Sequence, residues 1–355
     1  MQGVYPVLPR KHQDSQNRLA RPLRSSAQRE TWPSEPATQE AERAARAAWL
    51  HFIGGLTQQE VARRLDISTT RAHRYIARAQ SEGRVRIFVD VEAPDCVAIE
   101  RRLASAYGLS HCRVALEAPE AGPLPLRALG VLGADLLMHA VVSGEHAVIG
   151  LGHGRTLAAS VAAMGRCRAR ETRIVSMLGG LTRSGATNPH DVVHAIAQKT
   201  GAEAYLMPVP LFVDAPEDKR ILLAQSGLAG TMELIERASL VVVGIGDLDP
   251  AAPTSPASPD ALEDLRRAGA VAEILGQFLD SDGQPLATPY DGRVMAPPLS
   301  ALAGRTVVAI AGGERKAAAL RAALKSGLLS GLIVDERTGR HLAAELAEPP
   351  PAAAG

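Results

Sequence analysis

Three glycine-rich stretches offer this chain its clearest chemistry. The first is Gly150-Leu151-Gly152-His153-Gly154-Arg155-Thr156-Leu157, directly after the apolar run Ala147–Ile149. Glycine lets backbone amides approach an anion closely, and a helix start behind it adds partial positive charge. Arg155 and Thr156 add a guanidinium and a hydroxyl suited to phosphate or sugar oxygens. The second stretch, Leu178-Gly179-Gly180-Leu181, closes another apolar run and leads through Asn188-Pro189-His190-Asp191 into a helix. The third is Ala311-Gly312-Gly313-Glu314-Arg315-Lys316, with Lys316 about one turn into the expected helix and able to pair with a bound anion. Taken singly, each stretch is equally a tight strand-to-helix turn and Lys316 a surface lysine. Together they matter more, because ligands of open α/β sheets bind outside the carboxyl ends of strands.

A different chemistry lies near the amino end. A helix running from Thr69 to Glu82 would turn Ala72, Ile76 and Ala79 inward and present Ser68, Thr69, Thr70, Arg71, His73, Arg74 and Arg78 outward. Hydroxyls and a helix start suit phosphates, while arginine can pair bidentately with guanine. Thr57, at the preceding helix start, completes this candidate DNA-contacting set. Any solvated amphipathic helix can show such a face. Here it coincides with a turn signature and a local charge excess. Residues 1–90 hold 15 Lys+Arg against 9 Asp+Glu, and the remaining 265 hold 24 against 29, although the whole chain is only +1. A basic head on an acidic body suits a polyanion at one end, and double-stranded DNA is the expected partner.

Composition narrows the field. The 355 residues, 46% hydrophobic and 22% charged, can bury one or two ordinary cores. No run of about 18 uncharged apolar residues and no secretory signal pattern is present, so the expectation is a cytoplasmic protein without membrane contact. Cys96, Cys112 and Cys167 lack zinc spacing and read as reduced core residues; His139, His146, His194 and His341 read as surface or core histidines, so no metal is expected. Aromatics at 3% argue against stacking platforms for single-stranded nucleic acid.

These side chains need elements to place them. Residues 1–35, rich in Gln, Ser, Pro and Arg, read as a disordered arm, and 346–355 as a disordered tail. Residues 36–92 read as a helical, winged helix-turn-helix domain. A first helix starts near Glu40 and stops at Gly54-Gly55. Thr57 and Glu60 have capping-box spacing for a second, from about Gln58 to Leu65. Asp66-Ile67-Ser68 makes the turn, with Asp66 where a left-handed residue is needed, and Gly83 stops the third helix. Val61, Ala62, Leu65, Ile67, Ala72 and Ile76 fall where such a unit packs on itself, and Val85–Val91 alternate as a wing. Residues 88–100 are the expected hinge, with a helix between Asp95 and Gly108. Residues 93–345 read as a larger α/β domain: strands at Arg113–Leu116, Ala147–Leu151, Arg173–Leu178, Glu203–Pro208, Leu240–Ile245, Thr306–Ala311 and Gly331–Val334 alternate with helices, which argues for a mostly parallel sheet covered on both faces.

The segment Leu65 to Ile76, followed by Ala79 and Gly83-Arg84-Val85-Arg86-Ile87, resembles the DNA-binding end of the SorC family of bacterial sugar-responsive transcription regulators. Ser68, Arg74, Ala79 and Gly83 follow the family's pattern, whereas Asp66 and His73 depart from it. The body is similar to the same family's effector domain from about Ile99 to Glu336, through Leu103–Leu109, the Gly152–Leu157 loop, Leu178-Gly179-Gly180, Asn188–Ala197, Pro208-Val209-Pro210, Val243-Gly244-Ile245-Gly246, Leu279-Asp280, Gly312-Gly313 with Lys316, and Ile333-Val334-Asp335-Glu336. The resemblance implies a sugar-phosphate isomerase/CoA-transferase-like fold. It implies a homotetramer or homodimer that binds a sugar, polyol or sugar phosphate and changes its hold on DNA in response. It also implies that Gly152, Gly154, Arg155 and Thr156 face the ligand's phosphate or terminal hydroxyls, with Lys316 and the Gly312 and Gly313 amides nearby. Gly179 and Gly180 belong to the same set, and His190, Asp191, Asp247 and Asp280 are candidates for sugar hydroxyls. His153 replaces a bulkier residue, which leaves the effector's identity open.

Two other classes share some of these features. A sugar-phosphate isomerase or deaminase needs a general base; Asp191, Asp247 and Asp280 are available, but no paired acid/base motif links them. A dinucleotide-dependent oxidoreductase would rest on Gly150-Leu151-Gly152 and Val243-Gly244-Ile245-Gly246, neither of which completes the fingerprint, so no cofactor is expected.

Overall fold

The computed structural model describes residues 36–82, 84–85, 93–120, 122–181, 192–248 and 259–346. They divide into two compact units between Ala79 and Gln80. The expected arm, the wing beyond Val85 and nearly all of the tail lie outside the described residues, as do residues 88–92 of the expected hinge.

The head contains α1 (Pro36–Phe52), α2 (Gln58–Leu65) and α3 (Thr69–Ser81). Thr57 and Glu60 form the reciprocal capping box that starts α2. Asp66 ends that helix at φ 52° and ψ 54°, in the left-handed region, and its amide donates to the Ala62 and Arg63 carbonyls. A short acidic side chain tolerates this conformation better than most residues, so the turn forms without glycine. Ala44, Ala47 and Ala48 of α1, Val61 and Ala62 of α2, and Ala72, Tyr75, Ile76 and Ala79 of α3 form the buried core. Alanines bring the helix axes close. Leu65 and Ile67 are only half-buried, and the largest core group is Tyr75, a residue outside the expected packing set.

The body opens with α4 (Pro94–Tyr107), β1 (His111–Ala115), α5 (Leu126–Ser143), β2 (Val148–Leu151), α6 (Arg155–Ala163), β3 (Arg173–Leu181) and α7 (Val193–Thr200). It continues through β4 (Glu203–Pro210), α8 (Pro216–Leu223), α9 (Ser226–Arg237), β5 (Leu240–Val243), α10 (Pro259–Arg267), β6 (Ala272–Ile274) and β7 (Gln277–Leu279). It closes with β8 (Thr306–Ile310), α11 (Ala317–Lys325), β9 (Gly331–Asp335) and α12 (Glu336–Ala344). Every expected strand takes part in one seven-stranded sheet of order β1-β9-β8-β5-β2-β3-β4, and every pairing in it is parallel.

Its central strands are apolar throughout because both faces are covered. In β5, Val241 and Val243 join the core on one face while Leu240 and Val242 join the core on the other. β8 and β9 alternate in the same way: Val307, Ala309, Leu332 and Val334 face one side, and Val308, Ile310 and Ile333 the other. The helix α5 is long and apolar enough by length and composition to cross a membrane. In the structure its Leu129, Leu137 and Val141 are fully buried in the body's core.

Chain order explains where a ligand site can form. From β2 the chain runs outward through β3 to the edge strand β4, then returns to lay β5 on β2's other side and continues outward through β8. The loops leaving β2 and β5 therefore diverge from neighbouring strand ends, and a crevice opens between them.

Candidate effector site and DNA-reading helix

That crevice is a cavity of about 80 Å³, lined by Gly152, His153, Gly154, Arg155 and Thr156 after β2, by Gly244–Leu248 after β5, and by Glu273 and Lys316. Gly154 precedes α6 at φ 137°, a conformation side chains rarely adopt. The Gly152 amide is already engaged, donating to the Val242 carbonyl at 2.8 Å. Thr156 is buried, and its hydroxyl donates to the Ile310 carbonyl at 2.6 Å, which leaves its oxygen able only to accept from a ligand.

Lys316 is the most constrained cation in the cavity. Its Nζ donates to the Ile245 carbonyl at 2.6 Å and lies 3.8 Å from Asp247 Oδ1. Burial pulls its pKa below the usual lysine value; Asp247 and Glu273 oppose that shift, and Arg155 adds to it. Glu273 lines the same cavity, and burial pushes its pKa up, against the lowering effects of the Gly276 amide and Lys316. A lysine, an arginine and two carboxylates around one small space can accept from and donate to several hydroxyls, or bind a phosphate at the basic side.

Glu273 was not singled out by the sequence, and the elements that place it were also missed. β6 and β7 form an antiparallel hairpin in which Leu275 and Gly276 both have positive φ, 51° and 77°, as a tight two-residue turn requires. The hairpin pairs with the β5 loop through Gly246 and Glu273, whose backbones exchange hydrogen bonds of 2.9 and 3.0 Å. A Cβ on Gly246 would overlap the Glu273 carboxylate. The Gly244-Ile245-Gly246 signal thus has a local cause in this packing.

The remaining candidates are placed elsewhere. Gly179 and Gly180 lie inside β3 rather than after it, and the Gly179 amide donates to Met295 O at 2.8 Å. Asp280 organises a turn by accepting the Asp282 and Gln284 amides at 2.9 and 2.8 Å. Gly312 and Gly313 do not line the cavity. The Gly313 amide donates to Asp335 Oδ2 and Thr338 Oγ1, each at 2.9 Å, so it is committed to the fold. His190 and Asp191 lie outside the described residues. Among the described residues no His/Cys/Asp/Glu cluster could hold a metal ion.

In the head, Ser68, Thr69, Thr70, Arg71, His73 and Arg74 are exposed, as a reading face requires. Ser68 Oγ accepts the Arg71 amide at 3.3 Å, and Thr57 Oγ1 is held by Glu60 in the capping box. Arg71 Nε donates to the buried Tyr75 hydroxyl at 3.0 Å, with its guanidinium 5.5 Å from the ring centroid. Arg78 is half-buried and pairs with Glu40 of α1 at 2.9 Å. The face that is left without such ties is narrower than expected and centres on His73 and Arg74.

A helix-turn-helix head joined to a parallel-sheet body, with a cavity at its switch point where charged groups meet Leu178, Leu211, Leu275 and Phe278, defines a ligand-binding transcription regulator. Residues 54–86 match the winged helix-turn-helix DNA-binding family, and residues 91–344 match the sugar-binding domain family Sugar-bind. The chain is 47% identical over 302 residues to the erythritol catabolism regulatory protein EryD of Brucella abortus, covering 84% of this chain and 95% of that one. It is 30% identical over 316 residues to the transcriptional regulator LsrR of Klebsiella pneumoniae, covering 87% and 94%. The full-length sorbitol operon regulator SorC from Klebsiella pneumoniae shares the fold, with a TM-score of 0.62 at 22% identity over 86% of this chain and 99% of that one. The chain belongs to the SorC family of sugar-binding transcriptional regulators. It is a regulator and not an enzyme.

Proposed function

We propose that this regulator controls polyol catabolism and that its effector is a short polyol of erythritol's size, or the corresponding phosphate, held in the Lys316 cavity. The observation that carries this reading is the meeting of Lys316, Arg155, Asp247 and Glu273 around about 80 Å³. So small a space favours a compact polyol over a disaccharide. The 47% identity to a protein named for erythritol catabolism supports the same ligand class. The acting form is a homotetramer or homodimer in the cytoplasm, on a two-half-site operator.

The test is a thermal-shift titration of the full chain with erythritol, its phosphates, sorbitol and glucose 6-phosphate. A ligand that prefers the native state raises the melting point by mass action. A rise with the four-carbon compounds at the lowest concentration supports the reading. A rise only with six-carbon ligands refutes it.

A further inference from the structure

The segment joining α6 to β3 carries arginine at alternate positions: Arg166, Arg168 and Arg170. Between them, the Cys167 amide donates to Lys199 O at 3.1 Å and the Ala169 amide to Thr200 O at 2.8 Å. Exposure alternates in step: the three arginines are exposed, and Cys167 and Ala169 are half-buried. An extended segment is thus stitched to the end of α7 with its odd-numbered residues turned inward. In such a chain every second residue points the same way, about 6.6 Å apart, so the arginines form a row.

Among the described residues no hydrogen bond or ion pair engages these three guanidiniums. Elsewhere in the body arginines are commonly tied down: Arg113 to Glu100, Arg173 to Glu203, Arg293 to Val213 O, Arg305 to Ile235 O and Arg340 to Asp95. Three untied like charges in a row repel one another, and they stand on a body that otherwise carries more acid than base. The row's charges are spaced along a line rather than converging on a point, which fits a linear polyanion better than a compact metabolite.

We propose that Arg166, Arg168 and Arg170 form a second DNA contact, gripping the phosphodiester backbone of duplex DNA outside the sequence read by the head. Guanidinium suits phosphate by charge and by its planar donor fork, and such contacts add affinity without adding sequence information.

The experiment measures DNA affinity of the full chain against salt concentration, by fluorescence anisotropy on a long duplex of its own upstream DNA. Each phosphate contact contributes about 0.9 to the slope of log K against log salt. The triple variant Arg166→Ala, Arg168→Ala, Arg170→Ala should lower that slope by about 2.7 and Arg168→Ala alone by about 0.9, while the triple lysine variant keeps the wild-type slope. Sequence preference between the upstream duplex and a scrambled one should be the same for all. An unchanged slope in a folded triple alanine variant overturns the proposal. So does an unchanged slope accompanied by a change in oligomeric state on sedimentation, which would make the row a contact to an acidic face of a second copy.

Discussion

Asp335 holds Gly313 by accepting its amide at 2.9 Å, and three residues further along the chain Lys316 reaches the cavity between the β2 and β5 loops. The same carboxylate caps α12 by accepting the Thr338 amide at 3.1 Å, and Thr338 Oγ1 takes a share of the Gly313 proton. Gly312 lacks the Cβ that would overlap Asp335 Oδ2. The Gly312-Gly313 pair is therefore a clamp that aims a lysine, with its own amide turned to the protein.

Asp335→Ala should remove both bonds, leaving Gly313 with Thr338 Oγ1 alone and α12 without its cap, and lower stability by about 1–2 kcal/mol, the usual cost of a lost helix cap. Effector binding should weaken beyond what that stability loss explains, and Asp335→Asn should recover part of it, because asparagine also caps helices well. Urea unfolding alongside effector titration separates the two effects. Equal effector affinity in Asp335→Ala and wild type would show that the clamp does not aim Lys316.

Arg74→Ala and Lys316→Met should dissociate the two halves of the function. The first should weaken operator binding by about 1–3 kcal/mol, as expected for loss of one good base contact, with the effector-induced thermal shift intact. The second should abolish that shift while operator binding without effector persists. Loss of both properties in either variant would contradict the division of labour.

Arg78→Ala should behave unlike Arg74→Ala. Its guanidinium is spent on Glu40, in a pair whose two side chains are 37% and 43% exposed. Such pairs are worth about 0–1 kcal/mol, so a small loss in head stability and a smaller loss of DNA affinity than for Arg74→Ala are expected. Gel retardation of both variants at one salt concentration decides this. An equal or larger defect for Arg78→Ala would return it to the reading face.

Much of this architecture was legible because the signals were local. The β5 and β8 runs, Leu240–Val243 and Thr306–Ile310, are apolar enough that only a strand covered on both faces accounts for them. Thr57 with Glu60, and Asp66 in place of glycine, state the head's turn in a dozen residues. What stayed hidden depends on distant partners. Nothing near Arg78 in sequence announces Glu40, and nothing near Gly313 announces Asp335, 22 residues on. Glu273 carried a faint signal, a lone acid between Ala272 and Ile274 ahead of Leu275-Gly276, but a three-residue strand is too short for period counting.

Glu273 also predicts a pH effect. Its unfolded-state pKa is near 4.5 and burial raises the native value, so the native state holds the proton more tightly. The stability that this provides is present below pH 4.5 and is lost as pH rises through the higher native value. Glu273→Gln should have a flatter profile of melting temperature against pH over that span, gaining on wild type toward neutrality. Parallel profiles would mean that Glu273 titrates alike in both states.

On the proposed function, a ligand in the Lys316 cavity changes the head's hold on DNA. The most direct measurement is operator affinity of the wild-type chain with and without saturating erythritol or erythritol phosphate, repeated with Lys316→Met. Coupling of this kind typically amounts to about 1–3 kcal/mol, so the wild-type dissociation constant should move about 5- to 150-fold and that of the variant should not move. A ligand that binds the wild-type chain, as thermal shift reports, yet leaves its operator affinity unchanged would contradict the claim.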